Sequence, residues 1–204
     1  MRRVFRTNEI PENTKEWLRD WSDELNKKLE TEDFSLGLFW KNKRNTAKIK
    51  SIHQFLCAWA RPQNGCMYCL ASEGTDIDHF YPKEGFPTGT FDHQNYVLCC
   101  TACGRFKGSQ FPIDVNGAPL LINPLKENPW DHIEFDPITG CLSPKYFSST
   151  STFSEKGTET NNWLQSENRQ WLTDNYLHSY NNLKSEFETF LSNPRSNRHF
   201  GGWF

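Results

Sequence analysis

Two Cys-x-x-Cys pairs are the clearest chemical feature of this sequence. Cys66 and Cys69 form the first pair, and Cys100 and Cys103 form the second. Four thiolates at this spacing suit the tetrahedral coordination that structural Zn²⁺ prefers. The sequence therefore predicts one structural zinc site, which ties together two distant segments of the chain.

The seven cysteines could instead form disulfides. An odd cysteine count, the paired spacing and the lack of an apolar run of signal-peptide length favour metal in a reducing compartment. Cys57 and Cys141 are interpreted as packing residues. Cys99 could replace Cys100 as a ligand, but only Cys100 has the two-residue spacing to Cys103.

Asp78 and His79 are adjacent and lie between the two cysteine pairs. A carboxylate can bind Mg²⁺ or Mn²⁺, and a neutral histidine can take a proton from water. Because consecutive side chains of a strand point to opposite faces, one residue can hold metal while the other acts as a base. Phosphodiester hydrolysis requires both functions. We therefore predict Asp78 as a ligand of a catalytic Mg²⁺ or Mn²⁺ and His79 as the general base.

Three further side chains are candidates for the same site. Asn95 can form hydrogen bonds across the loop that follows His79 and hold that loop closed. Lys107 lies one helical turn beyond Cys103, where a phosphate could sit. Lys107 and its neighbour Arg105 are predicted to bind nucleic acid.

The local pattern predicts the elements that would position these residues. A strand is expected near 75–80, then a loop rich in Gly and Pro, a return strand at 96–99 and a short helix from about Thr101. Helical periodicity predicts amphipathic helices at about 13–30 and 46–60, the second of which ends at Pro62.

The second half of the chain is expected to continue with a hairpin around Ile133 and Phe135 and a flexible Ser/Thr-rich loop at 148–160. Residues 166–191 carry an apolar stripe at helical spacing, which predicts a core-packing helix that Asn193 and Pro194 terminate. The terminal pair Trp203 and Phe204 is expected to dock, and the amphipathic helices and this tail predict an interface with a partner or a second copy.

Composition limits the possible function classes. The chain has 204 residues, 36% of them hydrophobic and 15% aromatic, which predicts one domain with a small aromatic core. No segment is long and apolar enough to span a bilayer, so a soluble cytoplasmic protein without membrane contact is expected. The formal net charge of −2 excludes a broad positive surface. Nucleic acid would have to bind local patches, such as the lysines and arginine within 41–50 or Arg2, Arg3 and Arg6; a merely solvated face is an equal alternative.

Three motifs resemble those of zinc-containing HNH endonucleases: DIDHFYP at 76–82, NYVL at 95–98 and CTACGRFKG at 100–108. Weaker similarity to the small HNH proteins of bacterial Septu and retron anti-phage defence continues in LINP at 121–124, NPWDHIEFD at 128–136, GTET at 157–160 and NR at 168–169. The resemblance implies an endonuclease that cuts double-stranded DNA, with another nucleic acid as the alternative substrate, and operates beside an ABC-type ATPase of a defence operon.

The implied fold class is α+β, with a ββα-metal core that contains the four-cysteine zinc knuckle and is flanked by N- and C-terminal helices. The expected organisation is an N-terminal helical segment at 1–62, the HNH core at 63–112, and a hairpin with a C-terminal helical extension at 113–204. Structural zinc and catalytic Mg²⁺ or Mn²⁺ are the expected cofactors.

Gly104 departs from the HNH pattern. Many HNH nucleases place Asn or His directly after the last zinc cysteine, as the second protein ligand of the catalytic metal. Glycine has no donor, so waters and phosphate could complete the site, or Asp76, Asp92 or His93 could substitute. The alternative hypothesis is a catalytically weakened, zinc-stabilised module that binds DNA or a partner.

Overall fold

The computed structural model describes residues 1–60, 64–165 and 169–192. These residues form helices and small antiparallel hairpins, which confirms the α+β class. The elements in chain order are α1 (Glu12–Lys28), α2 (Leu36–Arg44), α3 (Ala47–Trp59), β1 (Asp76–His79), β2 (Tyr96–Cys99), α4 (Thr101–Lys107), β3 (Ile133–Phe135), β4 (Leu142–Pro144), β5 (Tyr146–Phe147), β6 (Thr152–Phe153), α5 (Glu155–Leu164) and α6 (Gln170–Ser192).

Helices α1 and α3 lie where periodicity predicted them. Leu18 and Leu25 of α1 and Ile52 and Leu56 of α3 are buried in one apolar cluster. Each helix therefore buries one stripe and exposes the other face to water, as an amphipathic pattern requires. The predicted stop at Pro62 lies outside the described residues.

Helix α2 was not predicted, because its segment carries four basic or amide residues and a glycine and lacks a wide apolar stripe. The Ser35 hydroxyl accepts a hydrogen bond from the Leu38 amide and so caps the helix start. Trp40 is the buried residue of this helix. Its ring lies 6.0 Å from the Phe91 ring, which in turn packs against Trp21 of α1. Phe39, also in α2, lies 5.8 Å from the same Phe91 ring, so two aromatic side chains fix α2 to the core.

Strands β1 and β2 pair antiparallel, with Asp78 opposite Val97 and His79 opposite Tyr96. Every residue of β2 is buried. Helix α4 follows β2 directly, and the Cys100 Sγ accepts a hydrogen bond from the Cys103 amide at the helix start. The chain therefore contains a strand, a strand and a helix in the predicted order.

The expectation of a flexible loop at 148–160 is wrong. Strand β6 and helix α5 occupy most of this segment. Ser154 caps α5 by accepting a hydrogen bond from the Gly157 amide, and Thr160 accepts one from the Ile122 amide at 2.9 Å. Gly157 lies so close to the chain at His132 that a Cβ atom would stand 2.0 Å from its carbonyl oxygen. Ser154 caps a helix and Gly157 permits a close backbone contact, whereas the Ser/Thr-rich composition of the segment predicted a loop.

Helix α6 carries the predicted apolar stripe but packs on the core only near its start. Leu172 is fully buried, and the Tyr176 hydroxyl donates to the Cys69 carbonyl oxygen at 2.6 Å. Beyond Leu177 the stripe is exposed, although the Tyr180 ring still lies 5.5 Å from the Phe135 ring, so a core-packing role for the whole helix is wrong. The exposed members, which we call the α6 stripe, are Tyr180, Leu183, Phe187 and Leu191. The predicted terminator at 193–194 and the tail at 203–204 lie outside the described residues.

Within the described ranges, no helix combines the length and the apolar character that a membrane crossing needs.

Candidate functional site

The two Cys-x-x-Cys pairs meet in space. Cys66 and Cys69 lie in the turn before β1, where the Met67 amide donates to the Leu98 carbonyl oxygen at 2.8 Å and so fixes that turn against β2. Cys100 and Cys103 lie at the start of α4. All four are buried, and their Sγ atoms lie within 4.8 Å of one another.

The donor set and its spacing fit a zinc ion. A tetrahedral Zn–S distance of about 2.3 Å places sulfur atoms about 3.8 Å apart, and the Sγ atoms of Cys69 and Cys100 are 3.9 Å apart. All seven cysteines are free thiols, which contradicts the disulfide alternative. Cys99 is not part of the cluster, so the ambiguity between Cys99 and Cys100 is settled in favour of Cys100. The four cysteines could hold a zinc ion that joins the turn before β1 to α4.

Hydrogen bonds from the neighbouring thiols of Cys103, Cys66 and Cys69 lower the pKa of Cys100. Zinc binds thiolates, and a thiol that ionises readily helps to start that binding.

A buried arginine stands beside the cysteine cluster, and sequence reasoning assigned it no role. Arg169 is 5% exposed, and its guanidinium donates to the Cys103 Sγ at 3.5 Å and to the Leu164 carbonyl oxygen at 3.3 Å. The guanidinium also lies over the Phe106 and Trp171 rings. A fixed positive charge at this position stabilises thiolates.

Asp78 and His79 lie on opposite faces of β1. The Asp78 carboxylate accepts a hydrogen bond from the Tyr68 hydroxyl at 2.7 Å and lies 3.0 Å from the Lys107 ammonium, both at Oδ2. Burial raises the pKa of Asp78, and Lys107 and Tyr68 oppose that rise by stabilising the carboxylate. The contacts of Asp78 with Tyr68 and Lys107 were not predicted. They depend on how α4 and the turn that contains Cys66 and Cys69 pack against β1.

His79 lies in an aromatic pocket and is 3% exposed. Its Nε2 lies 2.9 Å from the Thr90 carbonyl oxygen. Because a carbonyl only accepts, Nε2 carries the proton and Nδ1 keeps the lone pair. The rings of Trp40 and Tyr96 make edge contacts with the imidazole, at centroid distances of 4.5 Å and 5.2 Å. The ring is therefore fixed in one orientation and one tautomer.

Burial, together with the positive charge of Lys83 as a smaller contribution, lowers the pKa of His79 to about 3. The imidazole is thus neutral at physiological pH and able to accept a proton. Lys83 also places its ammonium 5.9 Å from the centre of the Trp40 ring. Sequence reasoning missed Lys83, although it directly follows the 76–82 motif.

Asn95 ties the loop after β1 closed. Its Oδ1 accepts a hydrogen bond from the Tyr81 amide at 2.7 Å, and its Nδ2 donates to the carbonyl oxygens of Tyr81 and Gly89. The side chain is buried. The Phe80 amide donates to the Asn95 carbonyl oxygen, so both ends of the loop are anchored at one residue.

Arg105 and Lys107 occupy different environments. Arg105 is exposed, whereas Lys107 is 1% exposed and directs its ammonium to Asp78 and to the His79 carbonyl oxygen. Arg105 is accessible to a phosphate in this arrangement, and the charge of Lys107 is already engaged inside the protein.

No cluster of protein donors supports the predicted Mg²⁺ or Mn²⁺ site at Asp78 in the described residues. In residues 1–60, 64–165 and 169–192, the four cysteines are the only metal-like cluster of three or more Cys, His, Asp or Glu side chains. Asp76 interacts with Arg44 and Thr101, and Asp92 caps a short turn by accepting from the Gln94 amide. No cluster of this kind contains Asp78.

A cavity of about 340 Å³ lies between the start of β1 and helices α2 and α3. Arg44, Lys50 and His53 line it with Asp76 and Trp40, the tryptophan that contacts His79. Two cations and an imidazole against one carboxylate give this cavity a positive balance. Part of the predicted basic patch thus lies close to the His79 face of β1.

No family model matches the chain. Among curated proteins, the chain is similar to Septu protein PtuB from Bacillus thuringiensis, with 29% identity over 94 residues. The matched part is 44% of this chain and 34% of PtuB, so the chain spans about a third of the length of that relative.

Proposed function

We propose that this chain is an HNH-type DNA endonuclease that serves as the nuclease of a bacterial anti-phage defence complex. The observation that carries the proposal is the His79 ring, fixed at Nε2 by Thr90 and left with a free lone pair at Nδ1. The hairpin that presents it is adjacent to a four-cysteine cluster, as the HNH resemblance requires. The similarity to Septu protein PtuB supports the defence context.

His79 acts as the general base of this reaction. Its Nδ1 takes a proton from water, the resulting hydroxide attacks phosphorus, and the 3′ oxygen leaves with a proton from solvent. A phosphate anion near the ring raises the pKa of His79 from its low value, because negative charge favours the imidazolium. Trp40 and Tyr96 hold the ring in place while the proton moves.

The other predicted residues support His79. Asn95 fixes the loop through its bonds to Tyr81 and Gly89, which keeps the Thr90 carbonyl oxygen in reach of Nε2. Zinc, when held by the four cysteines, supplies structural cross-linking and no reaction chemistry. We assign Arg105, Lys83 and the two cations of the cavity beside β1, Arg44 and Lys50, to the DNA backbone.

An ABC-type ATPase is the partner we propose for the α6 stripe. Leu183 and Phe187 are 59% and 60% exposed, and they lie one helical turn apart. Exposed apolar side chains in a row mark protein interfaces. The resemblance to Septu nucleases selects an ATPase as the occupant.

The test of catalysis is plasmid cleavage by the His79→Ala protein. General-base removal typically lowers a rate by about 10²–10⁴-fold. The matched control is His132→Ala, which removes a partly buried histidine away from β1. The assay is run with Mg²⁺, with Mn²⁺ and without added metal, because the resemblance implies a metal requirement. Zinc content and circular dichroism verify that both variants are folded. Equal cleavage by wild type and a folded His79→Ala protein refutes the proposal.

The second candidate is a zinc-stabilised module that binds DNA or a partner without cutting. Deep burial of His79 and its pKa of about 3 favour this alternative, since a base this weak at rest needs the substrate to activate it. Absence of cleavage under every metal condition and with the ATPase present, together with retained DNA binding, would establish it.

A further inference from the structure

A buried lysine contacts the carboxylate that the HNH resemblance assigns to a metal ion. The Lys107 ammonium lies 3.0 Å from the Asp78 Oδ2 and donates to the His79 carbonyl oxygen at 2.5 Å. The side chains are 1% and 14% exposed. Tyr68 donates to the same carboxylate oxygen. Asp78 therefore already has a cation and a hydrogen-bond donor, and Lys107 links both residues of the Asp78–His79 pair.

Helix α4 accounts for this arrangement. Lys107 follows Cys103 by four residues, so the two side chains lie on one face of the helix, one turn apart. The face that delivers Cys103 to the cysteine cluster therefore delivers Lys107 to β1. Gly104, at the position of the missing metal ligand, faces Cys99, because a Cβ atom there would stand 3.2 Å from the Cys99 Sγ.

Charge repulsion opposes a second cation at this carboxylate. A divalent ion bound to Asp78 would lie within a few ångströms of the ammonium, and like charges in a poorly solvated site repel strongly. Lysine also cannot step aside at low cost, since its stem is packed and its ammonium would lose two buried partners.

We propose that the Lys107 ammonium is the resident cation of Asp78 and that Asp78 does not bind a divalent metal ion in this chain. Asp78 and Lys107 are then positioning residues, which hold the end of β1 while His79 acts on the other face. These positioning roles rest on the proposed nuclease function. Metal binding by Asp78, in contrast, can be measured without any DNA cleavage. Removal of the lysine charge should uncover a carboxylate that does bind metal.

The experiment measures Mn²⁺ binding to the full-length, zinc-loaded protein through the electron paramagnetic resonance signal of free Mn²⁺. Four proteins are compared: wild type, Asp78→Asn, Lys107→Met and the double variant. Methionine keeps the length and the packing of the lysine stem. We expect no Asp78-dependent site in wild type, a site at least tenfold tighter in Lys107→Met, and loss of that site in the double variant. Lys107→Arg, which keeps the charge, should resemble wild type.

Two results overturn the proposal. One is a Mn²⁺ site in wild type that Asp78→Asn removes, and the other is a folded Lys107→Met protein with no gain in Mn²⁺ binding. If Lys107→Met fails to fold, the comparison of wild type with Asp78→Asn still decides, because it needs no lysine variant. The same comparison is repeated with a DNA duplex in the uncleaving His79→Ala background, where an Asp78-dependent site would equally overturn the proposal.

Failure of the nuclease proposal is recognised separately. A protein that never cuts DNA still shows whether Lys107 excludes Mn²⁺ from Asp78. Conversely, a wild-type protein with Mn²⁺ on Asp78 can still lose cleavage when His79 is replaced.

Discussion

The cysteine cluster and the Asp78–His79 strand lie in the same small core but are built differently. The cluster collects four identical donors from two chain segments, and a metal ion would complete it. On the strand, two adjacent residues face opposite environments: Asp78 meets an ammonium and a hydroxyl, and His79 meets aromatic rings. The strand pair is already charge-balanced by the protein. Identical donor side chains at short spacing can therefore converge on one metal ion. Two adjacent residues of a strand point to opposite faces, so their side chains lie in different environments.

The largest effect should come from breaking the cluster. We expect Cys103→Ser to lose zinc and most of the cooperative thermal transition, because structural zinc contributes directly to folding and its ligands join distant segments. Zinc content by mass spectrometry and the thermal unfolding midpoint are the measurements.

Cys141→Ser is the matched control for the cluster variant. Cys141 is a free, partly buried thiol outside the cluster, so its replacement should keep both zinc and midpoint. A Cys103→Ser protein with the zinc content and unfolding midpoint of wild type would show that the four cysteines only pack together and do not hold a metal ion. The cluster would then no longer differ from the Asp78–His79 strand in this respect.

An intermediate effect is expected from the aromatic face of the strand. Burial lowers the pKa of His79 to about 3 in the folded state, whereas an unfolded histidine has a pKa of about 6.5. The unfolded chain therefore binds a proton first as pH falls. The stabilising contribution of the neutral ring is fully present above pH ~6.5 and is lost progressively toward pH ~3. Between pH 7 and pH 5 this loss amounts to about 2 kcal/mol in the free energy of unfolding.

Urea unfolding of wild type and His79→Phe at pH 7 and pH 5 measures that contribution. Phenylalanine keeps a ring against Trp40 and Tyr96 but does not titrate. His93 and His132, whose pKa values burial also lowers, titrate in both proteins and cancel in the comparison. We expect a steeper loss of stability in wild type. Parallel pH dependences would mean that the His79 pocket is open to water, unlike the closed cysteine cluster.

Features set by neighbours in the chain were predictable from the sequence. The Cys-x-x-Cys spacing predicted the cluster, because a turn and a helix start each bring such a pair together. Periodicity predicted α1 and α3, and apolar strand residues predicted β2. In each case the signal lies in residues a few positions apart.

Features set by packing were not predictable. The burial of Lys107 depends on how α4 packs against β1. From the sequence alone, a lysine is expected at the surface. Helix α5 was missed because Ser154 and Gly157 resemble loop residues until their cap and close contact are seen. The same limit applies to α6, where the apolar pattern was visible but the partner surface was not.

The smallest effect on stability should come from the α6 stripe, which has neither a metal cluster nor a charge pair behind it. Leu183 and Phe187 are exposed in the described part of the chain, so replacing both with Ser should change the free energy of unfolding by no more than about 0.5 kcal/mol each. Association with the proposed ABC-type ATPase partner should nevertheless be lost, because the apolar contact surface is removed. Co-purification and urea unfolding measure the two effects, with Lys184→Ala on the same helix as the control.

A stable double variant that still binds the ATPase would place the interface elsewhere. A marked loss of stability would instead show that the stripe is covered within the chain, and the molecule would then have a third packed region comparable to the two around β1.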